Sequence, residues 1–414
     1  MRSDQEVLET LNATPAITAV RTSAAQQCVP VHLTGGALRD LFLGLPPRDF
    51  DFIVEDGVDD LARQVATDAP GGAVRVDSDS GAVHYYGREL GNLHFLPANG
   101  LSTDLYLTRY SDFTVNTLLF DLRSDKIVDG YGAFADIEDQ TIRCLPSIDF
   151  AAKPAHFALR AIRTALLTPT FTLGAETRAA IEARRQVLAS ADAADVGYEL
   201  NSILKSTEYL RGITLLSELG LLQQVFTSFL PFAATAVRTN DAVHAGIAAD
   251  EATRLFSLLD EVIAPCQELV SRHLPVLRQV ILLTTAMRRN GLNIVGEEGR
   301  RFLVTQGDRL EQACNDLSAR FSARGIYAFR VRMVTIGYWR GLASLAEGTS
   351  IEAAIESSMS AFGRRKGLLS GLLIGADWLL HESADRSAGQ QTVRATETVR
   401  RLTTHDAIMT LAAR

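Results

Sequence analysis

Hydrophobic and polar residues in the first 150 positions form short alternating runs, a pattern typical of strands separated by amphipathic helices. The predicted helices cover residues 4–27 (as two helices), 37–43 and 58–66. The predicted strands cover residues 29–34, 50–55, 93–96 and 103–107. Residues 97–100 read Pro-Ala-Asn-Gly, a turn signal, so the last two runs predict a hairpin.

From about residue 151 the pattern changes, because apolar residues recur at intervals of three and four and β-branched runs are few. Glycine and proline residues interrupt this pattern at spacings that suit helices of ordinary length. The sequence therefore predicts an α+β protein, with a mixed sheet and its helices first and an all-helical C-terminal half after them.

Two carboxylates, Asp49 and Asp51, lie on one face of the predicted strand at 50–55, and two phenylalanines lie on the other. Like charges so close together repel unless a cation sits between them, and a divalent metal is the commonest such cation. The alternative is a solvated strand face, which is the usual reading of an isolated Asp-x-Asp.

A glycine pair, Gly35-Gly36, ends the preceding strand, and Arg39 follows in the next helix. Glycines allow backbone N–H groups to approach a phosphate, and an arginine adds a planar cationic fork. An isolated glycine pair is usually only a turn. In the order Gly-Gly, Arg, Asp-x-Asp, however, these residues favour a metal-dependent nucleotidyltransferase.

A third carboxylate is commonly supplied to such sites by a neighbouring antiparallel strand. Asp104, in the middle of the predicted strand at 103–107, is the candidate, and a surface aspartate is the alternative. His94 is the other polar residue of that predicted hairpin.

These motifs resemble the class II tRNA nucleotidyltransferases, or CCA-adding enzymes, and the related bacterial poly(A) polymerases. The resemblance covers about residues 29–222, and residues 112–118 (Asp-Phe-Thr-Val-Asn-Thr-Leu) look like the ribose-recognition segment of the family. It implies a polymerase-β-like catalytic head over residues 1–147, a helical neck over 148–230 and a helical body over 231–414. For nucleotidyl transfer, we expect Asp49 and Asp51, with Asp104 as the candidate third ligand, to hold two Mg²⁺ ions.

The resemblance further implies that Gly35, Gly36 and Arg39 bind the triphosphate and that Asp112 and Asn116 position the sugar. Arg160 and Arg163 lie one helical turn apart in a segment similar to the arginine-bearing helix of the family, and both are candidate nucleotide ligands. A surface salt bridge is the alternative for this pair.

One family motif is replaced in this chain. Where the family has Glu-Asp-x-x-Arg to select the base, this sequence has Lys153, Pro154 and Phe157. Proline and phenylalanine carry no side-chain hydrogen-bonding group. We therefore expect nucleotide choice to be relaxed or moved to other residues, of which Lys153 and His156 are the nearest.

The net charge of −8 divides unevenly, into −12 over residues 1–150 and +4 over residues 151–414. The acidic part suits metal binding, and the mildly basic part suits a phosphate-rich acceptor. Apolar runs are short and the first residues do not look like a secretion signal, so we expect a cytoplasmic protein without membrane contact.

The prediction is an enzyme that adds nucleotides from ATP or CTP to an RNA 3′ end, most simply that of a tRNA. The alternatives are transfer to a small molecule or protein, and a catalytically silent RNA- or nucleotide-binding relative.

Overall fold

A computed structural model describes residues 1–69, 71–145, 153–225, 249–264, 271–289 and 325–346, with short pieces between 349 and 376. The chain divides into two compact units. The first contains residues 1–153 and 170–180, and the second contains residues 154–169 and 181–414. Most of the predicted helical body at 231–414 lies outside the described residues.

Seven strands of the first unit form one mixed sheet in the order β3-β4-β5-β2-β1-β6-β7. They are β1 (Val31–Thr34), β2 (Phe50–Val54), β3 (Ala73–Val76), β4 (Val83–Gly87), β5 (Gly91–Pro97), β6 (Leu119–Asp121) and β7 (Lys126–Val128). The pairing of β2 with β5 is parallel, and the other pairings are antiparallel. A separate two-stranded ladder joins β8 (Thr141–Ile142) and β9 (Thr172–Leu173).

Six helices accompany the sheet: α1 (Asp4–Ala13), α2 (Pro15–Gln27), α3 (Gly36–Phe42), α4 (Val58–Asp68), α5 (Thr103–Tyr110) and α6 (Ala133–Glu138). Their ends follow ordinary rules. Ser3 and Glu6 form a capping box at the start of α1, and Pro15 occupies the first turn of α2.

One face of the sheet is a packed aromatic and aliphatic core. Phe52 and Phe95 are fully buried on neighbouring strands, with ring centroids 5.6 Å apart. Tyr85 and the α4 residues Leu61 and Val65 are also buried, and α4 contacts β3, β4 and β5. Burying each such side chain contributes about 1.5–3 kcal/mol, so this face holds the sheet together.

The other face is covered only in part. Ile53 packs with Tyr106 and Leu107 of α5 and with Ala98 and Leu119. Asp51, two residues before Ile53, therefore lies on this same face beside the helix.

The second unit is helical. Its described helices are α7 (Phe157–Ala165), α8 (Ala175–Arg184, which begins in the first unit), α9 (Ala193–Lys205), α10 (Tyr209–Glu218), α11 (Leu221–Val225), α12 (Ala249–Ile263), α13 (Leu274–Arg289) and α14 (Gly325–Ala346).

Long-range polar contacts join these helices. The Arg278 guanidinium lies 3.3 Å from the centroid of the Tyr209 ring, and the Tyr209 hydroxyl donates to Asp260 at 2.6 Å. The buried Trp339 indole donates to Thr284 at 3.0 Å. Because these groups are buried or partly buried, each must find a polar partner, and the partners fix which helices meet.

The predicted α+β class, with a mixed sheet followed by helices, is confirmed. Within the described residues, no helix is both long and apolar enough to cross a membrane. The strand predicted over residues 103–107 is wrong, because this segment forms α5. Ser102 caps the helix by accepting the Leu105 N–H, and Tyr106 and Leu107 are buried together, as a helix face permits and strand alternation does not.

Candidate active site

The Asp51 side chain lies between two groups on neighbouring strands. On the β5 side, His94 is its direct register partner, and His94 Nδ1 lies 2.9 Å from Asp51 Oδ1. On the β1 side, Thr34 is the register partner and Gly35 follows it. The carboxylate is therefore held at the point where β1 turns into α3.

Gly35 is required at this turn for two reasons. Its φ is +77°, a conformation that residues with a Cβ avoid. A Cβ at Gly35 would also lie 2.7 Å from Asp51 Oδ2. The missing side chain therefore leaves room for the backbone and the carboxylate to face each other closely.

Asp49 lies immediately before β2, and the charges of Asp51 and His94 also act on its carboxyl group. Burial, and then repulsion by Asp51, raises the pKa of the Asp49 carboxyl. A partly buried pair of repelling carboxylates next to an open glycine turn fits a divalent cation, which would relieve the repulsion. Within the described residues no group of three His, Cys, Asp or Glu side chains is arranged to hold a metal ion. Two carboxylates suit Mg²⁺, which typically completes its shell with water and substrate phosphates.

Arg39 links the glycine turn to the predicted ribose segment. Its guanidinium donates to Asp40 Oδ1 at 2.6 and 2.9 Å and to the amide oxygen of Asn116. Asn116 in turn donates to Asp112 Oδ1 at 2.8 Å. The structure therefore brings together Arg39, Asn116 and Asp112, which the sequence places up to 77 residues apart.

Asp104 is not on a neighbouring strand. It lies in the first turn of α5, where its carboxylate accepts the Tyr131 hydroxyl at 2.7 Å. Burial and this hydrogen bond raise the pKa of Tyr131 to about 12, so the phenol stays a proton donor. The strand position that faces Asp51 belongs to His94, and the geometric reason for choosing Asp104 as the third metal ligand is lost.

Lys153, at the end of the first unit, donates to the backbone oxygens of Arg109 and Ser111 at 2.9 and 3.3 Å. These carbonyls lie at the C-terminal end of α5, where a cation is favoured. Lys153 therefore places a positive charge at the C-terminal end of α5.

The predicted nucleotide-binding arginines lie on α7 of the second unit. Arg163 Nε donates to the buried Glu199 at 2.5 Å, and Arg160 lies over the Phe157 ring, 5.6 Å from its centroid. His156, just before the helix, lies 3.1 Å from Asp195. Arg163 thus forms an ion pair with a buried carboxylate of its own unit rather than a bridge on the surface.

Comparison with known proteins agrees with the geometry. Residues 170–234 match the family described as "Probable RNA and SrmB- binding site of polymerase A". A CC-adding tRNA nucleotidyltransferase of Geobacter sulfurreducens is 34% identical over 134 residues, 32% of this chain and 30% of that protein. An A-adding tRNA nucleotidyltransferase of Deinococcus radiodurans is 32% identical over 204 residues, 46% of this chain and 43% of that protein.

Over parts of its length the chain is therefore similar in sequence to tRNA nucleotidyltransferases. Solved structures of tRNA nucleotidyltransferases and CCA-adding enzymes share its fold. A tRNA nucleotidyltransferase complexed with a primer tRNA and an incoming ATP analog superimposes with a TM-score of 0.63 at 20% identity, over 93% of this chain and 100% of that chain. A CCA-adding enzyme with CTP gives 0.62 at 18% identity, over 97% and 94%.

The chain aligns with less than half the length of each curated relative described above. Two residues near the site, His84 and Tyr86, were not predicted from the sequence. The contact of His94 with Asp51 was not predicted either. The alternation of Val83, His84, Tyr85 and Tyr86 was the available signal for the first two, because it is typical of a strand with one exposed face.

Proposed function

We propose that this protein is a metal-dependent nucleotidyltransferase that transfers nucleotides from ATP or CTP to the 3′ end of tRNA or a tRNA-like RNA. The observation that carries the proposal is the close approach of Asp51 Oδ2 to the glycine turn at Gly35, beside Arg39 and Asn116. Relatives named as CC-adding, A-adding and multifunctional CCA enzymes support the reaction class.

Asp49 and Asp51 would hold the metal, and the resemblance to the nucleotidyltransferase family favours Mg²⁺. When bound, it supplies charge neutralisation at the reacting phosphate and activates the attacking hydroxyl. The two carboxylates place this charge on the open face of the sheet, directly beside the turn at which a triphosphate would bind.

Gly35 and Gly36 present backbone N–H groups at that turn, and Arg39 adds a cation behind them. Because Arg39 is already bonded to Asp40 and Asn116, its guanidinium is held rigidly. Asn116, fixed by Asp112, is the group we assign to the sugar. Rigid positioning matters because the interaction then costs little ordering when the nucleotide binds.

His94 positions Asp51. Its hydrogen bond with Asp51 raises the pKa of the imidazole. By holding one carboxylate oxygen, His94 leaves Oδ2 directed at the Gly35 turn. We assign His94 a positioning role on this geometry.

Base selection is proposed to be relaxed or relocated. Pro154 offers no hydrogen-bonding side chain, and Phe157 is mostly buried at the start of α7. Apolar contacts discriminate between substrates by only about 1–3 kcal/mol, whereas hydrogen-bonded sites reach more. The substitution at these two positions favours weaker discrimination between ATP and CTP.

The experiment is incorporation of each of four labelled nucleoside triphosphates by the purified full chain, with and without total tRNA. Asp51→Asn serves as the inactive control, and added Mg²⁺ against EDTA tests metal dependence. We expect incorporation into tRNA that requires Mg²⁺ and Asp51. Labelling without tRNA would support transfer to another acceptor, and the absence of any labelling would indicate a silent relative.

A further inference from the structure

A row of side chains crosses the sheet from Asp51 to its edge. Asp51 on β2 is in register with His94 on β5, His94 with His84 on β4, and His84 with Arg75 on β3. Residues in direct register point to the same side of a sheet. The four side chains therefore share the face that carries the catalytic carboxylates.

Three aromatic rings of this face touch one another. The centroids of His94 and His84 are 4.7 Å apart at 78°, and those of His84 and Tyr86 are 6.2 Å apart at 19°. Tyr86 and His94 are 6.5 Å apart. We call His84, Tyr86 and His94 the aromatic row. It begins in hydrogen-bond contact with Asp51 and extends over two strands.

The aromatic row does not belong to the core. The intervening residues Val83, Tyr85 and Phe95 are buried on the opposite face, whereas Tyr86 is 43% exposed. Together with the two histidines, this exposed tyrosine offers a flat, amphipathic surface on the face that carries Asp51.

The predicted nucleotide-binding residues lie on the other side of Asp51. Gly35 and Arg39 follow β1, and Asn116 precedes β6, whereas the aromatic row lies on β5 and β4. With the nucleotide on the β1 side, the second substrate must reach the carboxylates from the β5 side. That approach runs over the aromatic row.

We propose that the aromatic row is a stacking platform for the last unpaired bases of the RNA acceptor, with the exposed Arg75 next to the phosphate backbone. This inference rests on the proposed function. Aromatic side chains bind unpaired bases of any sequence by stacking, and a nearby cation follows the backbone. Strands are spaced by about 4.8 Å, so His84 lies about 10 Å from Asp51 across the sheet, within a few nucleotides of the reacting end.

Burial and the neighbouring His94 lower the pKa of His84, which keeps this ring uncharged at neutral pH. A neutral ring in the middle of the row suits contact with the π-face of a base. The positive charge needed for phosphates is left to Arg75 at the edge of the sheet, one strand further out.

The test is binding of a short single-stranded RNA ending in CC, with 2-aminopurine as the penultimate base, to the full chain in EDTA. Tyr86→Leu removes the ring and Tyr86→Phe keeps it. Tyr198→Leu, at another exposed tyrosine on α9 of the second unit, is the matched control. ATP binding with Mg²⁺ is measured by calorimetry for each variant.

We expect Tyr86→Leu to weaken RNA binding about tenfold and to abolish quenching of 2-aminopurine, since stacking on one aromatic side chain is worth about that much. Tyr86→Phe and Tyr198→Leu should bind and quench like wild type, and ATP affinity should not change. Wild-type affinity and quenching in Tyr86→Leu, in a protein that still extends tRNA, would overturn the platform alone. A wild-type chain that neither binds nor extends RNA would overturn the proposed function and the platform with it.

Discussion

Gly35 faces Asp51 with no side chain between them, and an added Cβ would lie 2.7 Å from Asp51 Oδ2. The contact joins the turn after β1 to the middle of the open sheet face. Gly35 is therefore constrained both by its positive φ and by the Asp51 carboxylate.

Gly35→Ala should therefore cost both stability and activity. A non-glycine residue in this backbone region costs about 1–3 kcal/mol, and the new methyl group would displace the Asp51 carboxylate. We expect a lower thermal midpoint and loss of nucleotide incorporation.

Gly57→Ala is the matched control, because Gly57 also has a positive φ, +66°, but no atom within 4 Å of the added Cβ. That variant should lose about 1–2 kcal/mol and keep its activity. Equal activity losses in both variants would contradict the assignment.

Asp49→Asn should stabilise the metal-free protein at neutral pH. The pKa of Asp49 is raised in the folded protein, chiefly by burial and then by Asp51. The charged carboxylate therefore does not destabilise the fold below the pKa of the unfolded chain, and it does so fully above the pKa of the folded protein. The stability gain of Asn over Asp should grow as the pH rises through that window. Thermal unfolding in EDTA at several pH values measures this gain. A lower midpoint for Asp49→Asn than for wild type at pH 7 would show that the charge on Asp49 does not destabilise the folded protein.

The same substitution, and Asp51→Asn, should reduce nucleotide incorporation on the order of 10³-fold or more, because they remove the groups proposed to hold the metal. Single-turnover rates at saturating nucleotide measure the loss. Wild-type rates in either variant would be incompatible with an enzyme that uses this pair.

Arg39→Ala should affect both folding and nucleotide binding. Arg39 and Asp40 are about nine-tenths buried, and leaving one partner of such a pair alone costs on the order of 3 kcal/mol. Loss of a charge-assisted phosphate contact would weaken nucleotide binding by about 1.5–3 kcal/mol. The double variant Arg39→Ala/Asp40→Ala should recover stability but not affinity. If calorimetry shows unchanged nucleotide affinity, Arg39 has a structural role alone.

Arg163→Ala and Arg160→Ala should differ. Arg163 satisfies the buried Glu199, so its removal should lower the free energy of unfolding by about 1.5–3 kcal/mol. Arg160→Ala removes a cation–π contact with the Phe157 ring, and such a contact at a partly exposed site is worth about 0.5–1 kcal/mol. Chemical denaturation compares the two, and nucleotide affinity of the stable variant tests whether Arg160 binds substrate.

Nucleotide choice should be weak and should respond to Lys153→Ala or His156→Ala. Competition among all four nucleoside triphosphates on a tRNA lacking its 3′ CCA measures it. Strict addition of CTP and then ATP, unchanged in both variants, would show that base selection does not depend on the replaced motif.

The glycine turn and the Asp-x-Asp strand could be predicted because their signals are local: a β-branched run, two glycines and a period-two pattern. The segment at 103–107 could not be placed from its apolar residues alone, since Leu105 and Leu107 suit a strand or a helix. Ser102, a favoured N-cap residue, is the sequence signal that distinguishes the helix from a strand here.

Other parts of the site depend on pairing between distant segments. Nothing local in the sequence places His94 beside Asp51, because their contact follows from a parallel pairing of β2 with β5. Likewise, the stacking of Arg278 on Tyr209 joins helices 69 positions apart in the numbering, and helical periodicity predicts the helices without their neighbours.

The parallel pairing also has a consequence for how the protein is made. Asp51 and His94 are 43 residues apart, and α4 and the β3–β4 hairpin lie between them. A parallel pair needs such a crossover, and contacts of this separation form late because the loop must close first. During synthesis on the ribosome, Asp49 and Asp51 therefore emerge well before His94, and the contact between Asp51 and His94 forms only after β5 has left the exit tunnel.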